Sequence, residues 1–514
     1  MQRYVTKRLE EFCSLPRVDN TAYRQKIYIR ISQTTKMKNV LIALILFAMP
    51  SLLMARQVPC DCLKNLNETI AKTEVNYAGF PTKVTSKTKP NYDALASLLR
   101  EKAVAERDAK KCFYLITEYV KFFKDKHFSL TYLNNEDYDK EIIDIDDHYF
   151  NNLKPGDANS TEGIWVNPDS TITLGIKKFP GNEYKAIVLK SKDTKLPRGL
   201  VYFSLKPHKK GFLLKQYNVF NSIDFYAQQR SGLLQLWNFS LFGRILPAEM
   251  TDVEKQELRT WRNNNNGLDY KQLNAETGYI KIPTFFNNDS KVEKLVSTHD
   301  KAIRNSKYLI IDLRGNGGGN SGWSFLLPYV MTNPIKQDDT QLRISEDNVK
   351  LKRAEMEYVV KNPLPQEMKK YYSDAYVAKL KTTYEELLTS SNKFYTIPAL
   401  TIPVDSILTT PARVALITDE LCGSSTEYFF QLMKQSKKVT RYGTSSVGMM
   451  DYEGPTTTTP LPCKELILMM PVSKSSWADS NPIDEIGFKP DVELKIPKAQ
   501  WVDFIMKDLK KREN

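Results

Sequence analysis

Ser424 is the residue of this sequence whose position best suits covalent chemistry. It follows an apolar run of strand length, 414–418, and a polar turn, 419–423, and apolar residues then recur at helical spacing. A serine at a helix start faces unpaired backbone amides and the positive end of the helix dipole, so its oxygen could act as a nucleophile. The position also suits an N-cap, because Glu427 stands three residues later, as in a capping box.

A run of glycines, 317–319, follows a second buried-type strand at 308–313. Because glycine has no Cβ, these backbone amides can approach a ligand closely. The alternatives are a flexible turn or a phosphate-binding loop, and the sequence lacks the Gly-Lys-Ser/Thr that such a loop carries. This second strand–turn unit therefore favours the nucleophilic interpretation of Ser424 over the capping one.

Taken in order, the two motifs resemble those of the C-terminal processing peptidases, also called tail-specific proteases, whose relatives include the tricorn protease core. The matching residues are Leu313-Arg314-Gly315-Asn316-Gly317-Gly318 and Ser424-Ser425-Thr426-Glu427. The resemblance covers 277–498 and implies a serine peptidase with an α/β core of the ClpP/crotonase type. Strands alternating with helices agree with a layered α/β core, for which a doubly wound sheet is the runner-up.

A serine nucleophile needs a base, and the resemblance offers two kinds. Many family members use a lysine about 25 residues after the serine, but that position is Met449 here, and no lysine lies between Lys438 and Lys464. The tricorn-like branch instead carries an Asp-x-His element just after N-terminal helices, which Asp125-Lys126-His127 matches. Resemblance to this branch implies that His127 is the general base.

The same resemblance implies the remaining parts of the site. In the tricorn-like pattern a glutamate stands three residues before the glycine of a Gly-x-x-Pro-Asp turn. That turn is 487–491 here, which puts Asp484 at the position of the acid, with Glu485 as the alternative. The backbone amides of Ser425 and Gly318 would hold the oxyanion.

Other assignments stay open at the level of the sequence. Ser425 is a rival nucleophile, and the thiol of Cys422 is a weaker one because it lies in the turn and not at the helix start. A chain without the usual lysine could be an inactive relative that binds a ligand in the periplasm. Paired amides also occur in crotonase-type acyl-thioester enzymes, but no coenzyme A signal is present. The main prediction is a secreted serine endopeptidase that acts on polypeptides and uses no cofactor or metal.

The first residues predict export. Residues 1–36 lack periodicity and are predicted to be a non-native extension, with Met37 as the true start. A basic residue, an apolar run at 40–54 and Ala55 then form a signal peptide, 37–55. Because the run is too short for a comfortable membrane span, we expect a periplasmic or extracellular protein with no stable span after signal removal.

Pattern changes along the rest of the chain predict three domains. Partial helical stripes indicate an N-terminal helical domain at 57–135. Short β runs separated by turns indicate an antiparallel, barrel-like β domain at 136–265, where many family members carry a PDZ module. The α/β peptidase core is predicted at 270–500, with a charged helical insertion at 345–395.

The charge distribution and the cysteines indicate which ligands and cross-links the protein could have. The net charge is +14, but nine basic and three acidic residues among 1–38 supply six of these charges, and no basic block is interleaved with aromatics. We therefore expect no nucleic-acid partner. In an oxidising compartment, Cys60 or Cys62 is expected to pair with Cys112. A metal site is disfavoured, because the Cys-x-Cys sequence lacks a second pair and the four histidines are scattered.

Overall fold

The computed structural model describes residues 59–512, with gaps at 135, 137, 147, 155–159 and 454–457. The predicted extension 1–36, the start at Met37 and the signal peptide 37–55 lie outside the described residues. Within the described ranges, no helix is both long enough and apolar enough to cross a membrane.

The N-terminal unit is helical and ends in one short strand. Its elements are α1 (Cys62–Asn76), α2 (Phe80–Lys83), α3 (Lys89–Ala103), α4 (Ala109–Lys121) and β1 (Ser129–Tyr132). Helices α1 and α4 each begin at an aspartate, Asp61 and Asp108, whose carboxylate accepts an amide of the first turn. A disulfide joins Cys62 to Cys112 with 5.3 Å between the Cα atoms, which is one of the two pairings expected from the sequence.

The middle of the chain forms a closed antiparallel barrel. After α5 (His148–Asn151), its strands are β2 (Gly163–Val166), β3 (Ile172–Phe179), β4 (Glu183–Ser191), β5 (Val201–His208), β6 (Gly211–Gln216), β7 (Phe225–Arg230), β8 (Leu233–Leu236) and β9 (Ser240–Leu246). Pairing of β9 with β2 closes the barrel. Large side chains, among them Trp165, Phe203 and Phe242, fill its interior. The predicted barrel-like β domain is confirmed.

The α/β core follows the barrel. Its first elements are α6 (Asp252–Arg259), β10 (Asp269–Asn274), β11 (Thr277–Lys281), α7 (Asp289–Asn305), β12 (Tyr308–Asp312), α8 (Leu327–Val330), β13 (Ile335–Lys336) and β14 (Gln341–Arg343). The inserted elements are α9 (Glu346–Lys361), α10 (Gln366–Lys369), α11 (Asp374–Thr389), β15 (Phe394–Thr396) and β16 (Thr401–Ile402). The last are β17 (Arg413–Thr418), α12 (Ser425–Leu432), β18 (Val439–Gly443), β19 (Thr458–Pro460), β20 (Leu466–Met469), β21 (Ser473–Lys474), β22 (Val492–Glu493) and α13 (Trp501–Lys511).

One six-stranded sheet organises the core, in the order β10-β11-β12-β17-β18-β22, with all neighbours parallel except β10 and β11. Strand β12 is buried along its whole length because helices cover both faces of the sheet, α7 and α12 on one side and α13 on the other. Asp312 at the end of β12 pairs with Ile417 of β17. The turns that follow these two strands are therefore neighbours, at the edge where α/β sheets hold their ligands.

The N-terminal unit contacts the rest of the chain at several places, among them strand β1 and the end of helix α1. Strand β1 pairs with β20 of the core, with Leu130 opposite Leu468. The start of the inserted helix α9 packs on the end of α1, where the Asn348 side chain donates to the carbonyl of Asn76 at 2.9 Å. Since His127 lies two residues before β1, the first of these contacts fixes the position of that histidine relative to the core.

Candidate active site

Ser424 stands directly before helix α12, at the end of the turn that follows β17. Its backbone has φ 51° and ψ −122°, a region that non-glycine residues rarely adopt and that costs roughly 1–3 kcal/mol. The Ser424 amide donates to the carboxylate of Glu427 at 3.1 Å. Glu427 thus makes the capping contact of this helix end, and the strained backbone turns the serine side chain towards the N-terminal unit.

His127 meets this serine from the N-terminal unit. Its Nε2 lies 2.9 Å from Ser424 Oγ, and its Nδ1 lies 2.9 Å from the carbonyl oxygen of Tyr452. Because a carbonyl can only accept, the proton of a neutral imidazole is on Nδ1, and Nε2 is free to accept the serine hydroxyl proton. Burial of the ring lowers the pKa of His127, which favours this neutral form.

Asp125 fixes the backbone that carries the histidine. One carboxylate oxygen accepts the His127 amide at 2.8 Å, and the other accepts the buried hydroxyl of Tyr77 at 2.8 Å. Burial, and then the negative charge of Asp484, raise the pKa of Asp125 to about 7. The aspartate of the predicted Asp-x-His element therefore holds the histidine through its backbone and does not bind its ring.

Asp484 lies in the same buried region but bonds to other groups. Its carboxylate forms an ion pair with Lys83, and its amide donates to Asp451 at 2.8 Å. Its second carboxylate oxygen is buried and has no hydrogen-bond partner among the described residues. The Nδ1 atom of His127 faces a carbonyl oxygen, and Glu485 is exposed with φ 66°. The roles of Asp484 and Glu485 as the acid stay predictions.

The glycine run touches the serine loop where an oxyanion would form. A Cβ at Gly318 would lie 2.8 Å from both Ser424 Cβ and the Ser425 amide nitrogen, so only glycine fits there. However, the Gly318 amide donates to the side chain of Asn316 at 2.9 Å. In this conformation it is not available to an oxyanion, and its predicted role requires the glycine run to shift. The hydroxyl of Ser425, the rival nucleophile, is buried and has no partner among the described residues.

The loop 446–449 completes the wall behind the serine. Glu427 is fully buried and accepts the amides of Gly448 and Met449 at 2.7 and 2.9 Å. Burial raises the pKa of Glu427, while these hydrogen bonds act in the opposite direction. Met449, which stands 25 residues after Ser424, is buried in an apolar cluster with Trp237 and Leu421.

The other residues that the sequence suggested for catalysis or metal binding make contacts outside the Ser424–His127 pair. The thiol of Cys422 donates to the carbonyl of Leu313 at 3.0 Å, and burial raises its pKa, so it stays protonated. His299 stacks on Tyr270, with 4.3 Å between the ring centroids. Among the described residues, no group of histidines, cysteines and acids could hold a metal ion.

Several residues of the site belong to no motif that could have identified them from the sequence. Tyr452 contributes only its backbone carbonyl, which any residue could supply. Lys83 and Asp451 reach the site from segments that no motif marks. Glu427 lies inside the Ser-x-x-Glu motif, so its position was known, whereas its bonds to the loop 446–449 depend on tertiary structure.

In this site a buried histidine is hydrogen-bonded to the hydroxyl of a serine at the start of a helix. This is the arrangement found in serine hydrolases. Residues 276–494 match the family model of peptidase family S41. This part of the chain is similar to peptidase family S41, whose members are serine peptidases. No curated protein sequence gives a significant match.

The fold is similar to that of mature CPAF. The two chains are 12% identical, the alignment covers 88% of this chain and 96% of that one, and the TM-score is 0.52. At this level of identity the likeness is one of fold. The photosystem II D1 C-terminal processing protease is 11% identical over 85% of this chain and 93% of its own length, with a TM-score of 0.38.

Proposed function

We propose that this protein is a serine endopeptidase that hydrolyses polypeptides with Ser424 as nucleophile and His127 as base. The observation that carries the proposal is the distance of 2.9 Å between His127 Nε2 and Ser424 Oγ. That distance is within the range of about 2.6–3.2 Å in which a base can take a proton. The core would be of the ClpP/crotonase type, as in the relatives that the sequence resembles.

The reaction would begin with neutral His127 taking the proton of Ser424 while the serine oxygen attacks the peptide carbonyl carbon. The Ser425 amide and an amide of the glycine run, Gly318 after a shift, would stabilise the negative charge on the carbonyl oxygen. The imidazolium then gives its proton to the leaving amine, and water releases the acyl group by the same steps. Burial lowers the pKa of His127, and the Tyr452 carbonyl and then the negative charges of Glu427 and Asp484 act against it and favour the imidazolium.

A histidine base would place this chain nearer the tricorn-like branch than the Ser/Lys branch. Met449, at the position that a lysine usually occupies, is buried among apolar side chains and offers no base. A lysine base would therefore have to come from another element. Two lysines bond to the loop behind the serine, but they donate to backbone carbonyls: Lys126 to that of Gly448 and Lys210 to that of Val447.

We also propose that the protein is exported to the periplasm or the cell exterior. The signal-peptide pattern at 37–55 supports this, and so does the disulfide between Cys62 and Cys112, because such bonds persist in oxidising compartments. Polypeptides are the proposed partners.

Labelling with a fluorophosphonate probe tests the proposed site. We expect the wild-type protein and Ser425→Ala to be labelled, and Ser424→Ala and His127→Ala not to be. Ser425→Ala is the matched control, since it removes a neighbouring hydroxyl at the same helix end. Labelling of Ser424→Ala would assign the nucleophile to another residue, and a folded wild-type protein that resists the probe would favour the inactive binding relative.

A further inference from the structure

The turn between β8 and β9, residues 237–239, brings the barrel to the candidate site. Trp237 in this turn is buried and has φ 36°, in the left-handed region that an aromatic residue rarely adopts. Its indole Nε1 donates to the carbonyl of Leu421 at 2.8 Å. Leu421 lies three residues before Ser424, so the turn is bonded directly to the loop that carries the nucleophile.

Asn238, the next residue of the turn, bonds to the glycine run. The side-chain oxygen of Asn238 accepts the amide of Gly317 at 2.6 Å. Gly317 precedes Gly318, where a Cβ would lie 2.8 Å from both Ser424 Cβ and the Ser425 amide nitrogen. Two adjacent residues of the barrel thus bond to the two loops between which an oxyanion would form.

The glycine run is shaped to receive this turn. A Cβ at Gly317 would lie 2.2 Å from Trp237 Nε1, and a Cβ at Gly315 would lie 2.2 Å from the side-chain nitrogen of Gln235. A side chain at Gly317 would overlap the Trp237 indole, and one at Gly315 would displace the end of the Gln235 side chain. At these two positions, therefore, glycine makes room for side chains of the barrel.

We infer that Trp237 and Asn238 are positioning residues that set the separation between the glycine run and the serine loop. The inference rests on the proposed function and gives the barrel a role in it. Trp237 fixes the serine loop and Asn238 fixes the Gly317 amide, so that the shift which frees the Gly318 amide is a rotation of the next peptide while the two loops keep their spacing. An oxyanion donor must be within a fraction of an ångström of its place, so this spacing governs the rate of the chemical step.

The contacts around the turn agree with a rigid support. Trp237 packs with Tyr226 of the barrel and with Leu421, Val447 and Met449 of the core in one apolar cluster. The buried ammonium of Lys210, at the β5–β6 turn, donates to the carbonyl of Val447 at 2.8 Å. The barrel therefore supports the loop 446–449, which forms the wall behind the serine.

Kinetics of the full chain test the inference. We expect Asn238→Ala and Trp237→Phe to lower kcat on unfolded casein, and the rate of fluorophosphonate labelling, by roughly 10- to 100-fold with little change in KM. Asn182→Ala in the exposed β3–β4 turn is the matched control and should leave both rates unchanged. If the wild type reacts and Asn238→Ala reacts equally fast, the inference is wrong; if the wild type does not react, the proposed function is wrong.

Hydrogen–deuterium exchange tests the same contact without relying on activity. In Asn238→Ala, peptides covering 314–320 and 419–425 should exchange faster than in the wild type, while the rest of the core is unchanged. Asn238→Asp keeps the oxygen that accepts the Gly317 amide and should restore wild-type exchange of 314–320. Unchanged exchange of 314–320 in Asn238→Ala would overturn the inference even for an inactive protein.

Discussion

Ser424 and His127 are 297 residues apart in the chain, and the bond between their side chains is the chemical centre of the proposed site. Residues that act as a unit are strongly non-additive. We therefore expect Ser424→Ala and His127→Ala each to lower kcat/KM by several orders of magnitude, and the double variant to be little worse than either one. Removing the serine hydroxyl at a helix start costs at most about 1 kcal/mol, so Ser424→Ala should be folded, and urea unfolding checks this for both single variants. If the two losses in kcat/KM instead multiply in the double variant, the two residues act separately.

The environment of His127 sets the expected dependence of the rate on pH. The base must be neutral, so activity is lost as pH falls and the imidazole gains a proton. Because burial lowers the pKa of His127, the acid limb of kcat/KM should have its midpoint below the ordinary histidine value of about 6.5. A midpoint above that value would show that the neighbouring carboxylates outweigh burial. Asp139→Asn, an exposed charge change in the N-terminal half, should leave the midpoint in place.

At the scale of the elements, the sequence predicts best the strands whose surroundings are simple. Strands β12 and β17 are buried on both faces, and their continuous apolar runs locate them within a residue or two. The pattern misses β7, because its sequence carries two glutamines, and one of them, Gln228, is buried against Glu420. The end of β8 is not marked in the sequence either, because the turn at 237–239 contains no glycine or proline. That turn breaks the local rules of turn chemistry where its side chains contact the candidate site.

The disulfide that joins helices α1 and α4 allows a test at the scale of the elements. The disulfide between Cys62 and Cys112 closes a loop with a sequence separation of 50, for which the chain-entropy model gives about 4 kcal/mol of stabilisation. We expect the double variant Cys62→Ala, Cys112→Ala to lower the free energy of unfolding of the N-terminal unit by roughly that amount, as measured by urea titration. Cys422→Ala removes a buried thiol outside the disulfide and serves as the control for lost packing. Equal stability of the double variant and the wild type would mean that the bond does not constrain the unfolded chain.

At the scale of the whole molecule, three units that are far apart in sequence supply the parts of one candidate site. The N-terminal unit brings His127, the core brings Ser424 and the glycine run, and the barrel brings the turn at 237–239. The identities of the serine, the histidine and the glycines could be inferred from motifs, because motifs are local. The bond of the imidazole to the Tyr452 carbonyl and the contacts of the barrel could not, since they arise only when the units pack together.

The junction of the units also makes global stability depend on pH. Burial and the charge of Asp484 raise the pKa of Asp125 to about 7, whereas an unfolded aspartate titrates near 3.9. A raised folded pKa contributes stability that is complete below the unfolded value and is lost as pH rises through the folded one. His127 acts in the opposite direction, because its lowered pKa gives stability that is lost as pH falls below about 6.5.

Replacing Asp125 separates these two contributions. Asn at this position keeps an oxygen for the His127 amide but cannot ionise, so the decline in the free energy of unfolding between about pH 5 and pH 8 should be smaller in Asp125→Asn than in the wild type. Urea titrations at intervals across that range measure the slope, with Asp139→Asn as a control whose carboxyl is exposed. Below about pH 6.5 the loss due to His127 should remain in both proteins, because the variant leaves the buried imidazole in place. Identical slopes in Asp125→Asn and the wild type would show that the Asp125 carboxyl is ionised in the folded chain across the whole range.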